Sequence, residues 1–487
     1  MGLQQKVING MMWSSIGQFV SVAVTFVCNI VLARLLTPDD FGCIGMLAIF
    51  LAISAAFING GFTMALIQKK EISELDYTTI FWWNLLMSIF FVALLFFAAP
   101  AIARFYNIPL LKDVLRVQSL DLIICALQIV PISKFKRELR FKPLAMRNII
   151  SAVVATIAAV IMAYCGFGVW TLVYCTLLKS TVNTVLLWIM IDWRPTWHFS
   201  FKAWKELFNF GGMMLVASLV DTLYTNVNGL IIGRAFSPKD MGYYAQARKL
   251  EEVPSLVMSA VINEVSFSAF AKLQDQKEQL LAGLRYNVRS VAFLCFPLMA
   301  MLMSIGTPLF TLLYTEKWLA SVPYFQILCL ASMLYTLNGV NQSVIKALGK
   351  GTLYVVADII KRVVGISLIF GGIAFGIKGM LWGMVLSTYI SFAINGIINS
   401  RLTSYSFGMQ IRDVLPYYIL SLGLGLLLMR IFPLFELNYI VSMGLQALLF
   451  VGLYLVLSYL FKLEGLKIYV NIAKDYLKRD KNEKIKE

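Results

Sequence analysis

Apolar stretches of about 20 residues recur along almost the whole chain, from Met12 to Phe461. Each is long enough to cross a hydrocarbon core of ~30 Å as a helix. Backbone groups in lipid must be hydrogen-bonded internally, and the alternating pattern of a membrane β-barrel is absent, so these stretches predict helices. We expect an all-α polytopic membrane protein of about 14 transmembrane helices. The predicted spans are 12–33, 41–66, 77–99, 113–131, 145–164, 169–191, 207–233, 241–270, 286–306, 323–344, 353–374, 377–400, 411–430 and 438–461.

Composition and charge agree with a membrane protein. Hydrophobic residues make up 59% of the 487 positions and charged residues only 14%, against roughly 25% charged residues in soluble domains. With the N-terminus in the cytoplasm, roughly 30 of the 42 Lys and Arg residues fall on the cytoplasmic side. This bias predicts that both termini are cytoplasmic. Membrane topology and contact with anionic lipids also explain the net charge of +16, so the charge does not indicate a nucleic-acid partner.

An internal repeat predicts how the helices are grouped. The segment Val31–Gly42 reads VLARLLTPDDFG, and the segment Ile231–Gly242, 200 residues later, reads IIGRAFSPKDMG. Six predicted spans separate the copies, so both halves insert in the same orientation, as in repeats related by an axis along the membrane normal. The predicted domains are two tandem six-helix lobes at 1–200 and 201–402, a C-terminal helix pair at 403–461 and a basic cytoplasmic tail at 462–487.

The repeated motif predicts a capped helix start in each copy. The Thr or Ser is expected to cap the helix, the Pro to occupy its first position and the Asp its third, where the helix dipole favours an anion. These residues are Thr37, Pro38 and Asp40, and Ser237, Pro238 and Asp240. The arginines of the motif, Arg34 and Arg234, are candidate substrate contacts, although extension of their side chains to the membrane interface is an equal alternative.

Charged residues inside predicted spans are candidate functional residues, because such charges usually face water or one another. Span 8 contains Arg248, Lys249, Glu252 and Glu264, with Glu251 beside Glu252, so we expect it to line a hydrated cavity. The alternative is a local ion pair between Arg248 and Glu252, which are four residues apart on one helix face. Isolated charges in other spans are weaker candidates for the cavity or for ion coupling: Asp121, Lys179 and Asp358.

Two polar stripes occupy corresponding positions in the two halves. Span 7 has Asp221, Thr225 and Asn228 on one helical face, with Asn226 nearby. Span 1 has a similar stripe that includes Gln18 and Asn29. We expect the two stripes to share a cavity, whereas polar residues that hydrogen-bond between helices are the alternative.

Two basic segments with interleaved apolar residues have the composition of helices that lie at the membrane interface, on anionic lipid headgroups. One is the link 131–142, which includes Phe135, and the other is the tail around Leu466, Tyr469, Ile472 and Tyr476.

Signatures of soluble enzymes are missing. There is no G-x-x-x-x-G-K-[ST] loop, the only histidine is His198 in a predicted loop, and the seven cysteines lack metal-ligand spacing. The sequence therefore predicts no ATPase, no metal site, no cofactor and no enzyme activity.

Three segments together resemble one known family. Leu32–Gly42, Phe135–Lys142 and Gly242–Leu250 are similar, in this order, to segments of the polysaccharide transporters of the MOP exporter superfamily, and especially of its Wzx-like flippases. The resemblance implies alternating-access transfer of an undecaprenyl-diphosphate-linked oligosaccharide across the inner membrane for cell-surface polysaccharide biosynthesis. It also implies a cationic cavity in which Arg248 contacts the diphosphate or sugar, with Lys249 as a second candidate.

The resemblance leaves the driving force and the partners open. Coupling to Na⁺ or H⁺ through Asp221, Glu264 or Asp358 is an alternative to drive by the membrane potential alone. A polysaccharide polymerase and a chain-length regulator are candidate partners. The alternative function is multidrug or other small-molecule export within the same superfamily, which the absence of an acidic residue in span 1 disfavours.

Overall fold

The computed structural model describes residues 3–272, 276–435, 437–471 and 474; for 3–8, 11, 210, 256–257, 259–269, 271–272 and 277 it describes the backbone alone. The described residues form helices and no strand. In chain order the helices are α1 (Leu3–Leu35), α2 (Pro38–Asn59), α3 (Phe62–Gln68), α4 (Glu74–Tyr106), α5 (Leu110–Gln118), α6 (Leu120–Arg137), α7 (Phe141–Tyr164), α8 (Val169–Met190), α9 (Phe201–Ala235), α10 (Pro238–Lys272), α11 (Lys277–Ser304), α12 (Gly306–Tyr314), α13 (Val322–Ala347), α14 (Gly351–Gly372), α15 (Gly376–Leu402), α16 (Phe407–Ile431) and α17 (Tyr439–Leu460).

The predicted polytopic membrane fold is confirmed. In the described residues, 12 helical segments are long and apolar enough to cross a membrane. One of them, Gly351–Leu402, contains both α14 and α15, and α10 is not among the 12. The count of fourteen spans and the symmetry between two lobes stay predictions.

The chain divides into two compact units, Met1–Ala245 and Gln246–Glu487, and the division falls inside α10. In the first unit α1 packs against α7, α7 against α8, and α2 against α9. In the second unit α11 packs against α13 and α16, while α13 and α14 both pack against α15. The predicted domain boundaries at 200, 402 and 461 stay predictions.

Two predicted spans are interrupted in the structure. Span 2 was expected as one helix over 41–66, but α2 ends at Asn59 and α3 begins at Phe62. Gly60 and Gly61 separate them with φ of 54° and 72°, a backbone conformation that glycine adopts without steric strain. Span 4 is likewise divided between α5 and α6 at Ser119.

The prediction of an interfacial helix over 131–142 is wrong. Residues up to Arg137 are the last turns of α6, and α7 already begins at Phe141. The aromatic ring of Phe135 is buried in the core of the first unit, so it does not lie on headgroups. The reason is a tertiary contact: the Arg137 guanidinium donates to backbone carbonyl oxygens at the end of α3 and just after it, those of Leu66 (3.0 Å), Ile67 (3.4 Å), Lys69 (2.5 Å) and Lys70 (2.8 Å).

Candidate functional site

The two copies of the repeated motif form the same capped helix start, as predicted. The Thr37 hydroxyl donates to Asp40 Oδ2 (2.7 Å), and the Asp40 N–H donates back to Thr37 Oγ1 (3.4 Å). In the second copy, the Ser237 hydroxyl donates to Asp240 Oδ2 (2.7 Å) and the Asp240 N–H to Ser237 Oγ (3.1 Å). Reciprocal bonds of this kind satisfy N–H groups that a helix start otherwise leaves without partners.

The arginines of the motif are exposed at the ends of α1 and α9. The Arg234 guanidinium lies 5.3 Å from the ring centre of Phe105 in α4, a cation–π contact. This position agrees with the interfacial alternative for Arg234. A substrate contact by Arg34 or Arg234 stays a prediction.

The four candidate charges of span 8 differ in burial along α10. Arg248 is half-buried, whereas Lys249 and Glu252 are exposed. Glu252 forms no salt bridge with a residue that the structure describes, so the alternative ion pair with Arg248 is not formed. The side chain of Glu264 lies outside the described side chains.

Glu251, which the sequence analysis named only as a neighbour of these candidates, is the buried acidic residue of this helix. It is 7% exposed. Its Oε1 accepts a hydrogen bond from Ser255 Oγ one turn later (2.6 Å) and another from Ser332 Oγ of α13. Burial of Glu251 and exposure of Glu252 show which face of α10 packs inward, which the sequence of α10 alone does not specify.

The two polar stripes lie on helices that pack against different partners. α1 packs against α7, whereas α9 packs against α2, α3 and α4. Within the stripes, Asn29 and Asn228 are buried, Asn226 is half-buried, and Gln18 and Asp221 are exposed. The shared cavity therefore stays a prediction.

Among the described residues, Lys179 of α8 contacts the polar stripe of span 1, which also includes Thr25. Its Nζ lies 3.3 Å from Thr25 Oγ1, so α8 contacts the polar face of α1. Asp121, at the start of α6, accepts a long hydrogen bond from Cys125 Sγ (3.6 Å). Its other carboxylate oxygen is buried with no hydrogen-bond partner among the described residues.

Arg147 is a buried cation that is not among the predicted site residues. It lies near the start of α7 and is 7% exposed. Its Nη1 donates to Gln128 Oε1 (3.1 Å), and Gln128 Nε2 donates to the Ser180 carbonyl oxygen (3.2 Å). The only sequence signal was its place inside predicted span 5, two residues after Ala145.

Asp358 is held by two cations on its own helix, α14. Its carboxylate lies 2.7 Å from Arg362 Nε and 3.5 Å from Lys361 Nζ. Lys361 is buried and also donates to Asn395 Oδ1 of α15 (3.2 Å), whose amide donates to Asn338 Oδ1 of α13 (2.9 Å). This network ties three helices of the second unit together around a buried cation.

The described part of the tail docks on the second unit instead of lying free. Residues 464–471 are helical, and Tyr469 contacts α11 through its hydroxyl, 2.7 Å from Ser290 Oγ, and through ring stacking on Phe293. Tyr469 therefore contacts α11, and the interfacial position of this helix stays a prediction. Ile472 and Tyr476 lie outside the described residues. The same end of the unit contains Asp413, whose carboxylate accepts from Arg285 Nε (2.9 Å), Arg289 Nη2 (2.6 Å) and the Tyr405 hydroxyl (2.8 Å).

A polar crevice of about 1000 Å³ opens in the first unit, where α3, α4, α6 and α9 meet. Lys69 lies on its wall, 3.0 Å from Asp76 and 3.2 Å from Glu206. Burial alone would lower the pKa of Lys69, but its hydrogen bonds to Asp76 and Glu206 outweigh this and leave the pKa raised. Within the described residues, no cluster of three His, Cys, Asp or Glu side chains is placed to hold a metal ion.

The fold and these polar residues define the class: an all-helical, multi-span membrane protein with charges buried inside its helix bundles. The family follows from the sequence. Residues 31–323 match the model of a family described as polysaccharide biosynthesis protein. The chain belongs to this family, and its expected relation to polysaccharide biosynthesis is confirmed.

Similar proteins agree with this assignment. The chain is 25% identical to the lipopolysaccharide biosynthesis protein WzxC of Escherichia coli K12, covering 88% of this chain and 89% of that protein. It is 23% identical to the teichuronic acid biosynthesis protein TuaB of Bacillus subtilis 168, covering 87% and 89%. Its fold is similar to the lipid II flippase MurJ in an inward closed conformation, with a TM-score of 0.74, 16% identity and coverage of 93% and 98%.

Proposed function

We propose that this protein is a flippase that moves undecaprenyl-diphosphate-linked oligosaccharide across the bacterial inner membrane for cell-surface polysaccharide biosynthesis. The observation that carries the proposal is full-length similarity: WzxC, a lipopolysaccharide biosynthesis protein, aligns over 88% of the chain. The MurJ-like fold supports the same mechanism class. Alternating access between two lobes would move the substrate without chemical change, so the protein is not an enzyme in this proposal.

The proposed substrate contacts are cations of α10. Arg248 is half-buried and one turn from the buried Glu251, so its guanidinium belongs to the inner part of the helix surface. A guanidinium binds a diphosphate with two parallel hydrogen bonds. Lys249 is exposed on a different side of the helix and is the secondary candidate. We keep Arg34, Arg234, Gln18, Asn29, Asn226 and Asn228 as further proposed contacts.

The membrane potential is the proposed driving force. A diphosphate of charge about −2 that moves outward gains roughly 2.3 kcal/mol per charge for each 100 mV of inside-negative potential, so about 5 kcal/mol. Na⁺ at Asp358 is not needed for this energy, and two internal cations already neutralise that carboxylate.

Orientation and partners complete the proposal. Both termini lie in the cytoplasm, where the basic loops contact anionic lipids. A polysaccharide polymerase and a chain-length regulator are proposed as protein partners on the same pathway.

Complementation tests this function. The chain is expressed in a bacterial strain that lacks its own Wzx-type flippase, and both surface glycan and lipid-linked intermediates are followed. The wild type is expected to restore surface glycan, and Arg248→Ala to accumulate intermediates at normal protein level. Lys239→Ala is the matched control, because Lys239 is an exposed lysine in the first turn of the same helix, packed on Tyr243.

The outcomes separate the proposal from its alternative. Restored glycan in the wild type and in Lys239→Ala, with loss in Arg248→Ala, supports the flippase and its cationic contact. Absence of glycan across strains that make several different repeat units, despite good membrane expression, overturns the flippase. Drug-efflux assays in the same strains then test the multidrug exporter.

A further inference from the structure

The segment between α8 and α9, residues 191–200, is held against α4 although it contains no helix. The Trp82 indole N–H of α4 donates to the Thr196 carbonyl oxygen (2.8 Å), and the Ser200 N–H donates to Thr79 Oγ1 (3.2 Å). At the start of the segment, the Arg194 guanidinium donates to three backbone carbonyl oxygens, those of Trp188 (3.1 Å), Ile191 (2.6 Å) and Trp193 (2.8 Å). These bonds give the segment a defined conformation and fix which of its side chains are exposed.

Three large aromatic side chains of this segment and of the first turn of α9 are exposed. We call them the aromatic row: Trp197 is 87% exposed, Phe199 50% and Phe201 67%. Trp197 stacks on Trp82 with ring centres 4.5 Å apart, and Phe201 stacks on Trp204 at 5.2 Å. An aromatic side chain can bury roughly 150–250 Å² of surface, so three such rings in water are unfavourable. A lipid surface removes this cost.

The aromatic row lies where helices long enough to cross a membrane end. The apolar span formed by α8 ends at Met190, and the span that contains α3 ends at Gln68. α9 begins at Phe201, but its apolar span begins only at Gly211. The row therefore lies at the level of a membrane–water interface, where tryptophan is enriched because its ring is amphipathic.

The polar crevice of the first unit opens beside the aromatic row, since Ser200 and Lys202 form part of its wall. Its volume of about 1000 Å³ is sufficient for a phosphate and the glycerol group attached to it. A ligand whose polar end lies in the crevice can therefore place its apolar part against the row.

The charges on the wall of the crevice favour an anion. Lys69 is already paired with two acids of the wall. The other three cations, Lys70, Arg137 and Lys202, form no salt bridge with a described residue, and Glu71 is the one acid of the wall in the same situation. The Arg137 guanidinium is hydrogen-bonded to neutral backbone carbonyl groups, which leave its charge in place. Positive charge without an acid partner therefore exceeds negative charge in the crevice.

We propose that the crevice and the aromatic row together bind an anionic phospholipid of the bilayer. The phosphate lies in the crevice, where Lys70 and Lys202 bind it, and the row lies beside the glycerol group and the upper part of the acyl chains. Basic pockets between membrane helices are sites of this kind for anionic headgroups. A lipid in this position contacts both the loop after α3 and the start of α9, so it stabilises the first unit.

Thermal unfolding of the purified full-length protein in detergent measures the binding. Phosphatidylglycerol is the probe, and phosphatidylcholine with the same acyl chains is the comparison lipid without net charge. A ligand that binds only the folded state stabilises it, so phosphatidylglycerol is expected to raise the unfolding temperature by about 3 °C and phosphatidylcholine to leave it unchanged. Equal shifts with the two lipids would overturn an anionic site.

Two double variants of equal charge locate the site. Lys70→Gln with Lys202→Gln is expected to abolish the shift that phosphatidylglycerol causes. The matched control is Lys136→Gln with Lys142→Gln, since both lysines are exposed, in the last turn of α6 and the first turn of α7, and neither lies on the wall of the crevice. Loss of the shift in both double variants, or in neither, contradicts a site in the crevice.

A ligand without acyl chains tests the aromatic row. Glycerol phosphate is expected to give no shift at the concentration at which phosphatidylglycerol gives its full shift, and Trp197→Ala with Phe201→Ala to reduce the shift by the lipid. Phe375→Ala is the control, because Phe375 is 82% exposed but belongs to the second unit. An equal shift with glycerol phosphate would mean that a free phosphate binds the crevice, and it would reject the lipid.

Photo-cross-linking maps the site on the unchanged protein. The full-length chain is placed in phosphatidylcholine vesicles that contain phosphatidylglycerol with a photoreactive diazirine on its headgroup, and the modified peptides are identified by mass spectrometry. Adducts are expected at 69–75 and 197–206, and an excess of unlabelled phosphatidylglycerol is expected to remove them. Adducts of similar yield on all exposed loops would overturn the site. Because no measurement involves transport, either result leaves the proposed flippase function unaffected.

Discussion

The carbonyl oxygen of Pro238 lies directly against the α-carbon of Gly42, in the space that any side chain would occupy. The contact is reciprocal, since the carbonyl of Pro38 lies against Gly242 in the same way. The starts of α2 and α10 therefore cross at the two glycines of the repeated motif. This contact explains why each copy has glycine two residues after the capping aspartate.

Gly42→Ala is expected to destabilise the protein by about 3 kcal/mol, the upper end of the range for overpacking, because the obstacle is backbone and not a flexible side chain. The same holds for Gly242→Ala. The measurement is the thermal unfolding of the detergent-solubilised protein, together with the amount of protein that accumulates in membranes.

The matched control for this prediction is Gly423→Ala in α16, where an added methyl group meets no atom within 4 Å. Alanine is the better helix former by about 1 kcal/mol, so this variant is expected to be neutral or more stable. Equal unfolding temperatures for Gly42→Ala and Gly423→Ala would contradict the close contact.

Local rules predicted the two capped helix starts. Thr37, Pro38 and Asp40 lie within four residues, and the same spacing recurs at Ser237, so capping chemistry alone specifies the structure. The membrane spans were predictable for a similar reason, because hydrocarbon thickness fixes helix length.

Contacts between distant segments were not predictable from these rules. The link 131–142 has the composition of an interfacial helix, but Arg137 binds carbonyl groups about 70 residues earlier in the chain, and Phe135 is buried as a result. On α10, Glu251 and Glu252 are adjacent and chemically identical, but Glu251 is the buried one and accepts a hydrogen bond from Ser332 of α13. The same limit applies to Arg147, whose hydrogen-bond partner is on another helix.

Arg137→Lys is expected to destabilise the first unit by about 2 kcal/mol, the typical value for loss of hydrogen bonds to a charged group. Lysine keeps the charge but cannot reproduce the fork that reaches carbonyls on successive residues of a helix end. Lys136→Ala is the control, because Lys136 is exposed and its removal changes the net charge of the same segment. An unfolding temperature for Arg137→Lys that matches the wild type would mean that charge, and not geometry, holds the link to α3.

The raised pKa of Lys69 predicts a pH dependence at the crevice. A lysine whose folded pKa exceeds its unfolded value of about 10.4 adds stability that is fully present below that value and is lost as the pH rises through the folded pKa. The stability difference between the wild type and Lys69→Met is therefore expected to be constant from about pH 7 to 9 and to shrink above about pH 10.5. Lys70→Met is the control, since Lys70 is exposed and has no salt bridge with a described residue. A Lys69→Met difference that stays constant up to high pH would argue against the ion pairs with Asp76 and Glu206.

Asp413 joins α16 to α11 through Arg285 and Arg289. Its removal can be compared with removal of Glu464, a second acid that contacts Arg289. The side chain of Asp413 is 4% exposed, whereas that of Glu464, the other partner of Arg289, is 57% exposed. Removing one partner of a fully buried pair costs about 3–5 kcal/mol, and an exposed pair contributes about 1 kcal/mol or less. Asp413 is buried, but its partners Arg285 and Arg289 are 39% and 17% exposed, so the cost of Asp413→Asn is expected to lie between these values. Asp413→Asn is therefore expected to lower the unfolding temperature more than Glu464→Gln. Limited proteolysis after residue 460 should increase in both variants, since Arg289 bridges the two acids and positions the helix at 464–471. Equal and small effects on unfolding would mean that Arg285 and Arg289 are hydrated and that Asp413 is not their main source of charge neutralisation.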